Sequence, residues 1–431
     1  MIFHTVKPGE TVYSISQQYQ ISSQRLISDN ALYGFSGLVV GQCLLIAIPD
    51  IIHTVREGET VDYVSSLYGI TPLQLLQYNP TLINSTQLYA GESLTISYLN
   101  QTDISLDIYG YVYPYTKENL LKVQSTYLTS MAIFSYGFRN DGSLIYLPGD
   151  NKVINVLKNY NVNPVFLLSS INEDGKFDNS KATVLFNDIS VQNTLIDNII
   201  YVMEEKGYTG VDLDFEYINP SDRDAYIEFV NNITPKMNSM GYTVNVDLVP
   251  KSMDNQPGLF YEGHDYKRLG EAADTVLLMS YEWGYTYSPP MAVAPVNQVR
   301  KVVEYGVSRI DNKKIYMGIP NYGYDWTLPY EKGVTKARVI GNEEAIKIAY
   351  NNGSEIKFDT TAQTPYFNYT DNNGLSHEVW FEDARSIKAK YDLIAEYNLK
   401  GAGYWNMMRA FIQNWIYVSG TYNINKYNRT P

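Results

Sequence analysis

The chain has 431 residues, a net charge of −13 and a hydrophobic fraction of 45%. This length allows two or three domains, and the apolar content is enough for a large buried core. The acidic charge argues against a nucleic-acid partner, because nucleic-acid binding depends on neutralising phosphates. No stretch approaches the roughly 20 consecutive apolar residues of a membrane span, so no membrane partner is expected.

Cysteine and histidine usage limits the chemistry. Cys43 is the only cysteine, which excludes an internal disulfide and a thiolate metal cluster. The four histidines are scattered without metal-ligand spacing, so we expect no metal and no other cofactor. Residues 1–10 show no basic segment followed by an apolar core, so we expect no Sec-type signal peptide.

The first hundred residues contain an internal repeat. Residues 4–12 (HTVKPGETV) return as residues 53–61 (HTVREGETV), an offset of 49. Each copy is predicted to run strand, helix, helix, strand, and Thr11 or a neighbour caps the first helix. In the first copy we predict helices at Val12–Tyr19 and Ser23–Asp29 and a closing strand at Cys43–Ile46.

This repeat resembles the LysM module, a small βααβ fold that the resemblance associates with glycans containing N-acetylglucosamine. We assign residues 1–49 and 50–99 to the two modules. By resemblance, the glycan groove lies between the first turn and the loop before the last strand. Its predicted residues are Gly9, Glu10, Thr11 and Asn30, then Gly58, Glu59, Thr60 and Asn79. The alternative is that the repeats only pack on the downstream domain.

A short polar segment, residues 100–103, precedes the rest of the chain and is too short for a long flexible tether. From residue 104, strand-like and helix-like segments alternate, which is typical of βα units and a parallel sheet. Eight predicted strands indicate a closed (β/α)8 barrel, an α/β fold, over residues 104–431. These strands are Leu106–Val112, Ser130–Tyr136, Pro164–Ser169, Gly210–Glu216, Thr243–Leu248, Thr275–Tyr281, Ile315–Pro320 and Gly401–Trp405.

The seventh unit is longer than a simple crossover requires. Residues 325–382 are predicted to form an inserted α+β lobe with short strands. The candidate strands are Glu355–Thr360, Tyr366–Tyr369 and Glu378–Phe381.

Carboxylates alternate with apolar residues in the segment Gly210–Glu216. Side chains two residues apart leave a strand on the same side, so Asp212, Asp214 and Glu216 would form a file spaced by roughly 6–7 Å. Burying three carboxylates costs free energy, so such a file is expected where the carboxylates have a function. An exposed edge strand is the alternative, but a closed barrel has no edges. Active sites of such barrels lie at the C-terminal strand ends, which places Glu216 nearest the mouth.

The segment resembles the DGxDxDxE signature of family 18 glycoside hydrolases, the chitinase-like (β/α)8 enzymes, with Thr209 in place of the leading Asp. Further motifs follow in order. Residues 279–282 (MSYE) resemble M-x-Y-D with Glu282 in place of Asp, and residues 318–323 (GIPNYG) resemble G-x-P-x-Y-G. Residues 403–405 (GYW) match the closing strand, whereas the S-x-G-G motif of the third strand is not obvious.

The resemblance implies retaining hydrolysis in which the 2-acetamido oxygen of the substrate attacks the anomeric carbon. It implies that Glu216 is the acid and base, that Asp214 orients the acetamido group, and that Asp212 lies deeper, so that one carboxyl of the pair stays protonated. Tyr281 would hydrogen-bond the acetamido carbonyl. The implied substrate-binding residues are Trp405, Tyr322, Asn321, Met279 and Glu282. Packing is an alternative for both tyrosines, and Glu282 need not reproduce an Asp contact.

The implied mechanism requires a 2-acetamido sugar, which chitin and peptidoglycan both contain. The two LysM-like modules favour peptidoglycan. The whole arrangement resembles the spore-cortex-lytic N-acetylglucosaminidases of spore-forming bacteria, which implies a spore-associated location in the coat or cortex region. A muramic δ-lactam lacks the free acetamido group, so we predict cleavage after N-acetylglucosamine. The alternatives are a chitinase, an endo-N-acetylglucosaminidase acting on other glycans, and a non-catalytic glycan-binding lectin.

Overall fold

The computed structural model describes residues 1–426, so the last five residues of the predicted catalytic domain, 427–431, lie outside the described residues. Each N-terminal repeat forms a two-stranded antiparallel sheet with two helices. The first comprises β1 (Ile2–Thr5), α1 (Val12–Tyr19), α2 (Ser23–Asp29) and β2 (Cys43–Ile46). The second comprises β3 (Pro49–Thr54), α3 (Val61–Tyr68), α4 (Pro72–Tyr78) and β4 (Ser93–Tyr98).

Local chemistry sets the helix ends in both repeats. The Thr11 hydroxyl accepts a hydrogen bond from the Ser14 amide at 3.0 Å, and Thr60 caps α3 in the same way. The first helices end at left-handed residues, Gln20 in one repeat and Gly69 in the other. Because these caps are encoded within a few residues, the predicted bounds of α1 and α2 coincide with the observed ones.

Residues 105–424 form one closed barrel with an inserted sheet. Its strands are β5 (Ser105–Val112), β6 (Ser130–Phe138), β7 (Leu144–Ile145), β8 (Asn163–Ser169), β9 (Gly210–Asp214), β10 (Thr243–Leu248), β11 (Thr275–Leu278), β12 (Ile315–Pro320), β13 (Gly323–Leu328), β14 (Arg338–Ile340), β15 (Lys357–Asp359), β16 (Thr364–Thr370), β17 (Ser376–Trp380), β18 (Gly401–Trp405) and β19 (Asn423–Ile424).

Most helices of this part alternate with the barrel strands, and one of them belongs to the insertion. They are α5 (Glu118–Thr126), α6 (Asp150–Asn159), α7 (Asn179–Asn187), α8 (Ile189–Lys206), α9 (Arg223–Ser239), α10 (Leu259–Glu262), α11 (Tyr266–Ala272), α12 (Val296–Val307), α13 (Asn342–Asn351), α14 (Ala384–Glu396) and α15 (Ile412–Thr421). None of the helices in residues 1–426 combines the length and the apolar character that a bilayer crossing requires.

The barrel sheet is closed and parallel. The strands β5, β6, β8, β9, β10, β11, β12 and β18 pair in this order, and β18 pairs back with β5. The predicted (β/α)8 fold is therefore confirmed. Two predicted strands extended too far: β9 ends at Asp214 and β11 at Leu278. The pairing of β9 with β8 stops at Ser169–Asp214, so Glu216 lies in the turn beyond the strand.

The insertion in the seventh unit is a five-stranded antiparallel sheet with the order β14-β13-β17-β16-β15. Its core, with the helix α13, includes Ile340, Ala345 and Phe367. The three predicted strands correspond to β15, β16 and β17, whereas β13 and β14 were missed. The strand β14 has only three residues, and the strand conformation of β13 depends on pairing with the distant β17.

The two modules pack directly against the barrel and the insertion. Leu45 and Tyr98 of the modules belong to the same apolar core as Trp415 of the barrel. The Gln413 side chain donates to the Cys43 carbonyl at 2.9 Å, and the Ile356 amide of the insertion donates to the Val40 carbonyl at 2.9 Å. Packing on the barrel is therefore one role of the modules.

Candidate active site

The C-terminal ends of the barrel strands surround a cavity of about 1460 Å³. This volume exceeds the roughly 300–1,000 Å³ of ordinary small-molecule sites, so the cavity suits an extended ligand. Its lining includes Asp214, Glu216, Asp247, Tyr281 and Trp405, which come from the ends of four strands, β9, β10, β11 and β18, or from the loops that follow them.

A buried carboxyl cluster forms the floor of the cavity. Asp212 is fully buried and accepts hydrogen bonds from the Tyr109 hydroxyl at 2.7 Å and the Asn245 amide at 2.8 Å. Asp247 accepts from the Tyr111 hydroxyl at 2.6 Å and from the same Asn245 amide at 3.1 Å. Asn245 therefore links carboxyls of the neighbouring strands β9 and β10.

Asp214 lies between this floor and the mouth. Its Oδ1 is buried and accepts no hydrogen bond from the described residues. Burial, and then the charges of Glu216 and Asp212, raise the pKa of Asp214 well above its usual range. Burial also raises the pKa of Asp212 and of Asp247. Close carboxyls in a low-dielectric site cannot all ionise, so this cluster holds protons that isolated aspartates would lose.

Glu216 occupies the turn after β9 and faces the cavity. Burial, with a further contribution from the charge of Glu282, raises the pKa of the Glu216 carboxyl to about 7. A carboxyl with this pKa can donate a proton near neutral pH and can also accept one, which is the requirement for general acid and base catalysis.

Tyr281 and Glu282 follow β11 at the cavity mouth. Burial and the surrounding charges, that of Asp247 first among them, raise the pKa of Tyr281 well above its usual range, so its hydroxyl stays protonated as a donor. Glu282 has a left-handed backbone, with φ 67°. Its carboxylate accepts a hydrogen bond from the Tyr322 hydroxyl. The Tyr324 hydroxyl donates to both carboxylate oxygens, to Oε1 at 3.0 Å and to Oε2 at 3.1 Å.

Trp405 ends β18 and borders the cavity. Its ring makes edge contacts with Phe134 at 5.3 Å and Tyr111 at 5.7 Å between centroids. Met279 is buried in the same aromatic cluster. These neighbours hold the indole at the cavity wall, where its flat apolar ring is available to a ligand.

Two of the predicted substrate-binding residues do not line the cavity. The Asn321 amide is buried and donates to the carbonyls of Asn406 at 3.1 Å and Arg409 at 3.0 Å. Tyr322 is buried and donates to Glu282. In the structure, Asn321 therefore anchors the loop after β18, and Tyr322 orients Glu282.

The predicted glycan-binding residues of the modules make internal contacts. The Asn30 amide bonds the Leu26 and Leu45 carbonyls, both at 2.9 Å, and Asn79 makes the equivalent bonds in the second module. Glu10 and Glu59 each accept from a nearby histidine, at 2.8 and 2.7 Å. Gly9 and Gly58 have positive φ in the first turns, and Thr11 and Thr60 cap helices.

Replacing Asn79 by alanine is expected to destabilise the second module by about 2–3 kcal/mol, because it leaves the buried amide and carbonyl of Thr95 without their side-chain partners. Denaturant unfolding measures this change. The matched control is Asn84→Ala in the following loop, where the side chain is exposed and the effect should stay within about 0.5 kcal/mol. Unchanged stability with reduced glycan binding would instead support a ligand contact for Asn79.

The prediction from sequence missed Asp247 and the partners of the carboxyl floor. A signal was present, because the strand Thr243–Leu248 alternates polar and apolar residues in the same way as Gly210–Glu216. Asn245 lies directly opposite Asp212 in the β9–β10 register, and Asp247 follows on the same face. Only the strand order of the barrel shows that the polar residues of β10 lie beside the acidic residues of β9.

A closed barrel with a protonatable carboxyl above buried aspartates and beside a tryptophan defines a glycosidase-like site. A model of the family described as glycosyl hydrolases family 18 matches residues 107–410, and the LysM domain model matches residues 4–47 and 53–97. The chain belongs to glycosyl hydrolase family 18 and carries two LysM domains. It is accordingly a glycoside hydrolase.

Named relatives match over most or all of the chain. It is similar to the cortical fragment-lytic enzyme of Bacillus anthracis, with 36% identity over 435 residues and 98% coverage of both chains. The cortical fragment-lytic enzyme of Bacillus subtilis (strain 168) is 40% identical over 302 residues, which cover 70% of each chain. The crystal structure of the Bacillus cereus spore cortex-lytic enzyme SleL aligns with a TM-score of 0.84 at 35% identity, covering 99% of this chain and 98% of that one.

Proposed function

We propose that this protein is a spore-associated glycosidase that hydrolyses cortex peptidoglycan after N-acetylglucosamine, with retention of configuration. The observation that carries the proposal is Glu216, a carboxyl that lines the cavity beside the buried Asp214 and has a pKa of about 7. The similarity to enzymes named for cortex lysis supports the substrate class.

Glu216 is proposed as the acid of the first step. Its carboxyl proton passes to the glycosidic oxygen while the bond from that oxygen to the anomeric carbon breaks. The acetamido oxygen of the same sugar attacks that carbon and forms a cyclic intermediate. The Glu216 carboxylate then takes a proton from a water molecule, whose oxygen opens the ring from the face that the leaving group vacated.

Asp214 and Tyr281 are proposed to hold the acetamido group during these steps. The raised pKa of Asp214 and its unpaired buried Oδ1 leave a hydrogen-bonding site open toward the cavity. The Tyr281 hydroxyl supplies a neutral donor from the end of β11, two strands away from β9 in the barrel. Asp212 and Asp247 share the protons of the cluster with Asp214, and Trp405 provides the apolar surface under the reacting sugar.

Product identification tests the bond that is cleaved. Cortex fragments digested by the full chain are expected to yield saccharides with N-acetylglucosamine at the reducing end, as shown by mass spectrometry after borohydride reduction. Products with reducing muramic residues would overturn the specificity. A parallel digest of chitin oligosaccharides separates a cortex enzyme from a chitinase, and binding without any product would indicate a lectin.

The rate should depend on pH through Glu216. The acid form is the active one in the first step, so kcat/KM is expected to fall as pH rises through about 7, where the Glu216 carboxyl loses its proton. The charge of Glu282 contributes to this raised pKa, so the Glu282→Gln variant should move the basic limb to lower pH. If the basic limb of the pH profile does not move, the charge of Glu282 does not raise the pKa of Glu216. The pH profile of kcat/KM on a soluble muropeptide measures both effects.

A further inference from the structure

His264 lies directly behind the turn that carries Glu216. It is fully buried and precedes the helix α11. Its Nε2 lies 3.1 Å from the backbone carbonyl oxygen of Glu216. A carbonyl oxygen can only accept, so Nε2 must carry the proton. Nδ1 is then an unprotonated nitrogen, and it has no hydrogen-bond partner among the described residues.

The backbone of His264 is itself fixed. Its carbonyl accepts a hydrogen bond from the Lys251 ammonium at 2.8 Å, and its amide donates to the Tyr261 carbonyl at 3.2 Å. Lys251 is buried and also donates to the Asp254 carbonyl at 3.0 Å. Backbone hydrogen bonds therefore hold the loop from which the imidazole projects.

The same loop makes close contact with the chain that follows Glu216. A Cβ placed on Gly263 would come within 2.5 Å of the Ile218 Cβ and 2.7 Å of its carbonyl oxygen, so only glycine allows this approach. The rings of Phe260 and Tyr217 are also in contact, with centroids 5.0 Å apart. Glu216 is thus bounded by the strand β9 on one side and by this loop on the other.

We infer that His264 is a positioning residue for Glu216. Its Nε2–H fixes the peptide carbonyl of Glu216 and so sets the direction from which the Glu216 carboxyl enters the cavity. The turn lies beyond the last paired residue of β9, so strand pairing does not hold it. The inference rests on the acid role proposed for Glu216.

The neutral imidazole keeps its Nε2 proton near neutral pH. Burial lowers the pKa of His264 to about 4, so the ring stays neutral and keeps one proton, which the Glu216 carbonyl holds on Nε2. Loss of this contact would free the turn and leave a buried carbonyl without its donor. A displacement of about 1 Å at a reacting group can lower the rate by roughly 100-fold, whereas distant substrate contacts would be unaffected.

Two substitutions separate positioning from packing. His264→Leu keeps much of the volume but has no donor, whereas the amide of His264→Gln can still donate to the Glu216 carbonyl. We expect kcat of the leucine variant to fall by about 10- to 100-fold with KM within twofold, and the glutamine variant to recover most of the rate. Tyr226→Phe is the control, because that buried hydroxyl has no partner among the described residues and its ring packs 6.2 Å from the imidazole.

The outcomes are distinct. A folded leucine variant with the wild-type kcat, or a glutamine variant as slow as the leucine variant, would overturn the inference. If the leucine variant does not fold, nitrogen NMR of the ¹⁵N-histidine-labelled full chain tests the inference instead. We expect Nε2 of His264 to carry the proton and the ring not to titrate between pH 5 and about 8. A titrating ring would overturn the inference. Full activity of Glu216→Gln would instead remove the proposed function itself.

Discussion

Replacing Glu216 by glutamine is expected to lower kcat on cortex fragments by about 10³-fold, because the amide cannot donate an acidic proton to the leaving oxygen. The substitution preserves side-chain size, so the cavity keeps its shape and binding of the fragments should persist. Glu216 is partly exposed to the cavity, and its carboxyl is the group there whose pKa is raised to about 7. Steady-state release of reducing ends and a separate cortex-binding assay measure the two properties.

Glu173→Gln is the matched control for this experiment. Glu173 is another cavity-lining carboxylate, but it is exposed and forms ion pairs with Arg139 at 2.8 Å and Lys181 at 3.3 Å. Its loss should change kcat by no more than about twofold, because surface ion pairs contribute little. If Glu216→Gln were as active as Glu173→Gln, another group would have to be the acid.

Removing residues 1–99 is expected to destabilise the barrel, in addition to removing the predicted glycan-binding modules. Leu45, Tyr78 and Tyr98 share one apolar core with Tyr127 and Trp415 of the barrel. Each large apolar side chain that is buried contributes roughly 1.5–3 kcal/mol. Allowing for a compact unfolded chain, the loss should be on the order of 5 kcal/mol, and the midpoint of thermal unfolding should fall by roughly 10 °C or more.

The insertion loses a partner in the same truncation. Val39 of the first module packs in the core of the insertion with Ile340 and Phe367, and Val40 accepts the hydrogen bond of Ile356. The control is Tyr13→Ser on α1, where the side chain is 70% exposed and stability should not change. A barrel fragment that unfolds at the temperature of the full chain would show that the modules are independent attachments.

Local signals account for what was predictable about the fold. The duplicated cap and turn residues determined the helix ends of the first module, and the alternation of strands and helices indicated the barrel. The strand β13 was missed because its partner β17 lies far away in sequence, and β14 was missed because it has only three residues. The end of β9 was misplaced for a related reason, since pairing with β8 stops at Asp214 although the residue pattern continues to Glu216.

The candidate site divides in the same way. The acidic file could be predicted from the sequence because Asp212, Asp214 and Glu216 are close neighbours in the chain. Asp247 could not be predicted in this way, because only the strand order of the barrel brings β10 beside β9. The asparagines Asn30 and Asn79 were predicted at a glycan groove, whereas the structure shows their amides bound to backbone groups of their own modules.

The sequence by itself determined the (β/α)8 barrel, the two modules and the acidic file of Asp212, Asp214 and Glu216, because periodicity, caps and motifs are properties of short segments. The tertiary structure decided what those acids can do. It buried the carboxyls of two strands together, raised the pKa of Glu216 to about 7, and placed His264 against its backbone. Burial and the proximity of like charges arise only between segments distant in the chain, so no local pattern could encode them.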